Sequence, residues 1–256
     1  VVRAHVISDV HRRTDALRAA ADGADVLVCL GDLLLFVDYA DPSQGMFGET
    51  FGADNAARLV ALRTAGRFDE ARQMSAALWA ERGVDRADAT RAAVTAQYKE
   101  IFAAMPSPAF LTPGNVDLPA VWPQFLRAGH QMVDGVTAQI GGRTFGFVGG
   151  GLRTRYNTPN ELSDEEYAAK VESVGAVDVL CCHIPPALPE LTYDTQARRF
   201  ERGSSAVLDA IRRTSPRLVL FGHVHQPLVA RARVGRTECV NVGHFRSTGR
   251  PFALQW

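Results

Sequence analysis

Five short apolar runs in this chain lead into the same few kinds of polar residue. That repetition limits the fold more than any other feature. Arg3-Ala4-His5-Val6-Ile7-Ser8 leads into Asp9 and His11. Asp25 to Leu30 leads into Gly31 and Asp32, and Pro108 to Pro113 into Gly114 and Asn115. Val177 to Cys182 leads into His183, and Arg217 to Phe221 into Gly222-His223-Val224-His225. Branched and aromatic residues bounded by glycine read as buried strands. Open α/β sheets build their sites at the C-terminal ends of such strands. One Gly-Asp or Gly-Asn pair is an ordinary turn dipeptide, and a lone histidine is more often a packing residue. Two histidines in a glycine-bounded turn, matched by carboxylates and an amide after other strands, point to metal binding, because neutral imidazole is the commonest metal ligand.

Asp-x-His, Gly-Asp, Gly-Asn-x-Asp, a histidine after a strand and Gly-His-x-His, in that order, resemble the signature of the calcineurin-like metallophosphoesterases. The resemblance covers almost the whole chain except an insert between Asp32 and Gly114. It implies an α/β fold, a four-layer αββα sandwich holding two metal ions. Asp9, His11 and His225 resemble the ligands of one ion, and Asn115, His183 and His223 those of the other. Asp32 resembles the carboxylate that bridges them. Asp32, Asn115, His223 and His225 are then the catalytic set. In the family, a water shared by two metals roughly 3.5–4 Å apart loses its proton and attacks phosphorus in line. Mixed nitrogen and oxygen ligands suit manganese, iron or zinc better than calcium or magnesium. Manganese is the expected ion, with iron and zinc as alternatives.

The resemblance fails at one residue. The family's commonest form is Gly-Asn-His-Asp, in which the histidine binds phosphate and protonates the leaving group. This chain has Gly114-Asn115-Val116-Asp117, and valine does neither. Relatives lacking that histidine resemble phosphodiesterases more than monoesterases. His130 and His244 are the remaining candidates for the acid, His244 being the better placed, in the turn after the last motif. Arg12 and Arg13 stand where the family often has Gly-Asn, and a guanidinium fork suits phosphate oxygens. Arg12, Arg13, Arg153 and His244 are therefore the expected substrate contacts, with Arg199 and Arg202 as weaker candidates. The same arginines read equally well as solvated surface.

The 256 residues fit one domain. Twenty-eight basic residues balance twenty-eight acidic ones, which argues against nucleic acid as a partner and for a small-molecule phosphoester. Cys29, Cys181, Cys182 and Cys239 have no Cys-x-x-Cys spacing and read as buried thiols of a reducing compartment. No signal peptide or run of ~18 apolar residues occurs, which predicts a cytoplasmic protein without membrane contact. No Gly-x-Ser-x-Gly elbow is present, and Gly149-Gly150-Gly151 lacks the Gly-Lys-Ser/Thr of a phosphate loop.

Residues 36–105 interrupt the strand rhythm. A Gly, Pro and aromatic stretch comes first, then apolar stripes at helical spacing over 53–64, 68–81 and 88–105. Ten acidic and eight basic residues leave the insert near neutral. It reads as a cap over the site, a homo-oligomer contact or a decoration. Elsewhere the patterns predict a helix over 14–22, a helix after an Asp117 N-cap, a hairpin over 136–148 and helices over 163–174 and 204–213. Antiparallel strands are expected over 228–256. A non-catalytic metal-binding scaffold of the same fold is the competing function. The complete set of seven ligands argues against it.

Overall fold

The computed structural model describes all 256 residues. They divide into two compact units, Val1–Leu33 with Ile101–Trp256, and Leu34–Glu100.

In the larger unit the chain opens with β1 (Arg3–Ile7), α1 (Thr14–Leu17) and β2 (Val26–Cys29). The smaller unit supplies α2 (Gly45–Phe51), α3 (Ala53–Thr64), α4 (Phe68–Arg82) and most of α5 (Arg86–Ala104). The chain continues with β3 (Ala109–Leu111), a 3-10 turn over Pro119–Gln124, β4 (His130–Met132), β5 (Val136–Ile140) and β6 (Arg143–Val148). Then come β7 (Gly151–Leu152), β8 (Glu161–Leu162), α6 (Asp164–Val174), β9 (Val179–Cys182) and α7 (Pro189–Thr192). The last stretch holds β10 (Tyr193–Asp194), β11 (Arg199–Phe200), α8 (Ser205–Thr214), β12 (Leu218–Phe221), β13 (Arg231–Val234), β14 (Thr237–Asn241), α9 (Phe245–Thr248) and β15 (Phe252–Gln255).

Two sheets carry the larger unit, in the orders β15-β1-β2-β3-β4 and β13-β14-β12-β9-β6-β5. Strand side chains alternate between faces, and the core shows it. Val179 and Cys181 of β9 join Val6, Val28, Phe110, Phe147 and Leu220 in one apolar cluster between the sheets. Leu180 and Cys182 point the other way, onto Tyr167 and Val171 of α6 and Val207 and Ile211 of α8. This is the expected four-layer arrangement, and all four cysteines are buried, free thiols. No helix is long and apolar enough to cross a membrane.

Local signals explain most of the elements. Ser163 accepts from the Glu166 amide while Glu166 accepts from the Ser163 amide, a capping box that starts α6. Ser204 caps α8 through the Val207 amide. The hairpin β5–β6 pairs as expected, turning at Gly141 and Gly142.

Three expectations need correction. The helix predicted over 14–22 stops at Leu17. Beyond it the bonds tighten to the i→i+3 spacing, and the Ala20 carbonyl goes to the His5 ring instead. Asp117 does not cap the next helix, which is a 3-10 turn without a side-chain cap. Its carboxylate is buried and accepts from the amides of Leu33 and Gly114. The C-terminal strands do not form one antiparallel set. β13 and β14 do pair antiparallel, but β14 lies parallel to β12 and β15 crosses to the other sheet beside β1.

In the smaller unit, α2 forms where only a glycine-rich lead-in was expected. Its first amides, at Met46 and Phe47, are taken by the carbonyls of Leu35 and Phe36. Phe47, Phe51 and Trp79 pack in series with ring centroids 4.8 Å apart, the first pair tilted and the second edge-on. The Gln97 side chain grips both the amide and the carbonyl of Leu35. These partners are remote in sequence, so local propensity does not reveal the helix.

Candidate metal centre

The parallel pairings Ile7↔Cys29, Cys29↔Leu111, Cys181↔Leu220 and Phe221↔Asn241 bring the C-terminal ends of six strands into register. Every predicted ligand sits in a loop that leaves one of these ends. The loops are stitched together by backbone bonds: Asp9 to Gly31, His11 to Asp32, Arg12 to Leu33, and Gly222 to His183.

Four of the seven predicted ligands have positive φ: Asp9 at 57°, His11 at 41°, Asp32 at 53° and His223 at 67°. Such left-handed backbone costs a non-glycine residue roughly 1–2 kcal/mol and clusters at functional sites, where surrounding structure enforces it. The motif glycines have a steric cause. A Cβ on Gly114 would lie 2.1 Å from Asp32 Oδ1, and one on Gly222 would lie 2.0 Å from Ser8 Oγ and 2.4 Å from Asp9 Oδ2. Glycine in Gly-Asn and Gly-His lets a second loop reach the carboxylates of the first.

The side chains form two groups that share Asp32. In the first, Asn115 Oδ1 lies 2.9 Å from His183 Nε2 and 3.0 Å from His223 Nδ1. Asp32 Oδ1 is 3.4 Å from His183 Nε2. In the second, Asp32 Oδ2 faces His11 Nε2 at 3.9 Å and Asp9 Oδ1 faces His225 Nε2 at 3.7 Å. The two oxygens of Asp32 thus face different groups. Supporting contacts fix the ligands. His183 Nδ1 bonds the Leu30 carbonyl at 2.8 Å, leaving Nε2 towards Asn115. The Asn115 amide nitrogen donates to Thr158 Oγ1, which donates to Glu161, so its oxygen turns inward. The His223 amide donates to Asp9 Oδ2 and the Val116 amide to Asp32 Oδ1.

Charge is concentrated here. Burial opposes ionisation of Asp32, but His183 and His11 outweigh it and hold the carboxyl at about 2. Asp9 is held well below the carboxylate range against the same burial, chiefly by His225. Burial also opposes charge on His183, yet Asp32 and Asp9 raise it to about 9. His223 is lowered by burial and by the charge of His183. Burial and the Asp32 charge raise Asp117 to about 7.

Divalent cations fit this donor set. Two buried carboxylates, one amide oxygen and four imidazoles converge, and Asp9 Oδ1 is buried without a hydrogen-bond partner. The other predicted residues divide. His244 is in the site: its ring stacks on His225 at 3.8 Å and meets His11 edge-on at 5.8 Å. Burial and the charge of His225 push it down to about 3, so it is neutral near pH 7. His130, in β4, bonds the Pro106 carbonyl and packs near Phe102 of α5. Arg12 sits in the ligand loop with φ at 63°. Arg13 bonds Asp15 and the Arg246 carbonyl. Arg153 pairs with Glu166, Arg199 with Glu201 and Arg202 with Asp164. Sequence reasoning missed Thr158, Glu161, Asn241 and Arg246. None stands in a recognisable motif; Thr158, Asn241 and Arg246 act through bonds to residues distant in the chain, and Glu161 acts through Thr158.

The family model for calcineurin-like phosphoesterases matches residues 2–227. The chain belongs to that family. It is by that membership a metal-dependent phosphoesterase. Two solved structures share its fold. One aligns over 99% of this chain and 98% of its own at 18% identity, with a TM-score of 0.56. The other, TT1561 of Thermus thermophilus, aligns over 100% of this chain and 99% of its own at 14% identity, with a TM-score of 0.51. No curated protein sequence matches the chain.

Proposed function

We propose that this phosphoesterase holds two divalent ions in the shared Asp32 site and prefers phosphodiesters of small molecules or nucleotides over monoesters. Asp9, His11, Asp32 and His225 hold one ion. Asp32, Asn115, His183 and His223 hold the other. Two cations bound there supply charge neutralisation for the phosphoryl group and a water acidic enough to ionise near neutral pH. Manganese is the first ion to supply, with iron and zinc as alternatives.

The chain's own residues do the rest. Asp32 keeps the two halves in register through its separate oxygens. The Thr158 and Glu161 bonds hold the Asn115 oxygen inward. Arg12, one residue beyond His11, is the proposed contact for the phosphoryl oxygens.

The observation that carries the diester reading is Val116. It stands next to Asn115 and its amide donates to Asp32 Oδ1 at 3.0 Å, so its side chain starts at the site but has no proton to give. A general acid typically contributes 10²–10⁴-fold. Without one, substrates whose leaving group departs unprotonated are favoured. With manganese supplied, bis-nitrophenyl phosphate should be cleaved faster than alkyl phosphate monoesters, and rates should fall steeply as leaving-group pKa rises. A flat dependence on leaving-group pKa, or faster cleavage of monoesters, contradicts the proposal.

A further inference from the structure

The ring of His225 is held differently from that of His183. A metal-binding histidine is usually oriented by a hydrogen bond at its other ring nitrogen, and His183 has one, from Nδ1 to the Leu30 carbonyl at 2.8 Å. No backbone carbonyl holds His225 in that way. Its polar contact is Asp9 Oδ1, 3.7 Å from Nε2 and beyond hydrogen-bond reach.

The His225 ring is packed instead. His244 lies flat on it, with centroids 3.8 Å apart and planes 5° from parallel, and His11 meets it edge-on at 5.5 Å. An imidazole offers its lone pair in the plane of the ring, so a neighbour stacked on the face leaves that direction clear. The same parallel geometry keeps His244 from sharing an ion with His225.

The stacking ring is itself anchored. The Phe245 and Arg246 amides donate to the carbonyls of Ser8 and Asp9, and the Arg246 guanidinium donates to the His11 carbonyl at 2.7 Å. On the other side, Asn241 donates to the Val224 carbonyl at 2.9 Å and accepts from the Gly243 amide at 2.8 Å. The turn that carries His244 is therefore bonded to both loops that carry His11 and His225. Ser247 Oγ lies 2.6 Å from His244 Nδ1 and sets the rotation of the ring. Nε2 of His244 is buried without a hydrogen-bond partner, so what the ring offers His225 is its face.

We infer that His244 is a positioning residue, whose ring face holds His225 in the plane that keeps Nε2 opposite Asp9 Oδ1, with Ser247 fixing the stacking ring. This inference rests on the two-ion reading above. It assigns the order of the Asp9 half to a flat aromatic contact where the Asn115 half uses hydrogen bonds.

The test reads metal affinity, not turnover. Zn(II) binding to the full chain is measured by competition with a chromophoric chelator, for the wild type, His244→Leu, His244→Phe and Ser247→Ala. The His244→Leu and Ser247→Ala changes are then repeated in a His225→Gln background, which keeps a donor atom but has no ring to orient. Leucine fills the space without a flat face, and phenylalanine keeps the face without the nitrogens. His244→Leu should weaken one zinc site about tenfold, the low end for residues that support a ligating histidine, and leave the other unchanged. His244→Phe should lose less than about threefold, since an aromatic face remains. Ser247→Ala only frees the ring, and a loss of about threefold is expected at the same site. In His225→Gln both changes should cost no more than about twofold, because a residue that acts through His225 has nothing left to orient.

Equal losses in the two backgrounds would mark general packing and overturn the inference. So would a His244→Phe loss as large as that of His244→Leu, or unchanged zinc affinity in His244→Leu. Each of these leaves the two-ion reading standing. A wild-type protein that binds no zinc overturns both.

Discussion

The two halves of the candidate metal site are built differently. In the Asn115 half, His183 is fully buried. Its donor atoms already converge to about hydrogen-bond distance, 2.9 and 3.0 Å from the amide oxygen. In the Asp9 half the donors are further apart, at 3.7 and 3.9 Å, and the His225 side chain is 39% exposed. Rings stacked on one another order that half, where direct contacts between donors order the other. Both draw ligands from both sheets, so the inter-sheet core fixes their spacing. The difference teaches that the buried half is preorganised but holds a proton on His183 that a cation must displace, while the other half opens to solvent at His225.

Asp32 joins the halves, so removing its charge should have the largest effect. Asp32→Asn should weaken metal binding at both sites by more than the roughly 100-fold upper range for a supporting residue, with activity lost in parallel. His223→Ala should empty the Asn115 half first. If Asp32→Asn disturbs one site and spares the other, the carboxylate does not bridge. Calorimetric titration with Mn(II) distinguishes the two.

Restoring the missing acid comes next. Val116→His should raise turnover of alkyl monoesters by up to about 100-fold, the low end of general acid catalysis, and flatten the dependence on leaving-group pKa. No gain on monoesters would show that the acid is supplied from elsewhere.

The proton on His183 gives a pH test of the buried half. An incoming cation must displace it. Metal affinity there should rise about tenfold per pH unit between pH 7 and 9 and level off beyond, where the His183 pKa of about 9 is passed. Metal-free stability should move the opposite way. A histidine raised from its ordinary value of 6.5 to about 9 contributes stability that is complete below 6.5 and lost as pH rises through 9. The melting temperature of metal-free protein should therefore fall across that window, and that of loaded protein should not. Parallel curves would remove His183 as the competing group.

Thr158→Val should have a smaller effect, roughly tenfold in affinity at the Asn115 half, because the amide loses the bond that turns its oxygen inward. The Asp9 half should not respond. The smallest effect on metal is expected from replacing residues 36–100 with a short Gly/Ser linker, since all seven ligands lie outside them. If the insert is a cap, that variant should keep diester hydrolysis and lose selectivity among natural substrates. A change in sedimentation would instead mark it as an oligomer contact. In α4 only Ala71 is buried, and Phe68, Met74 and Leu78 of the stripe expected from spacing are partly exposed.

The sandwich was legible because its strands are apolar runs, and the candidate ligands were legible because each comes just after such a run, three of them behind a sterically required glycine. Gly114 and Gly222 carry that information in one residue each. The supports were not legible. Thr158 reaches Asn115 across 43 positions and Arg246 reaches His11 across 235, and no local pattern encodes such pairings. Helix α2 was hidden for the same reason, its first amides being satisfied by Leu35 and Phe36. Asp117 looked like a cap because aspartate before Leu-Pro suits one, yet two buried amides claim it.

The central claim is a pair of ions sharing one carboxylate. Elemental analysis of the full chain after manganese loading and removal of free metal tests it most directly. Two ions per chain in the wild type, with a clear loss in Asp32→Asn, is the predicted result. No bound transition metal under any loading would contradict the account.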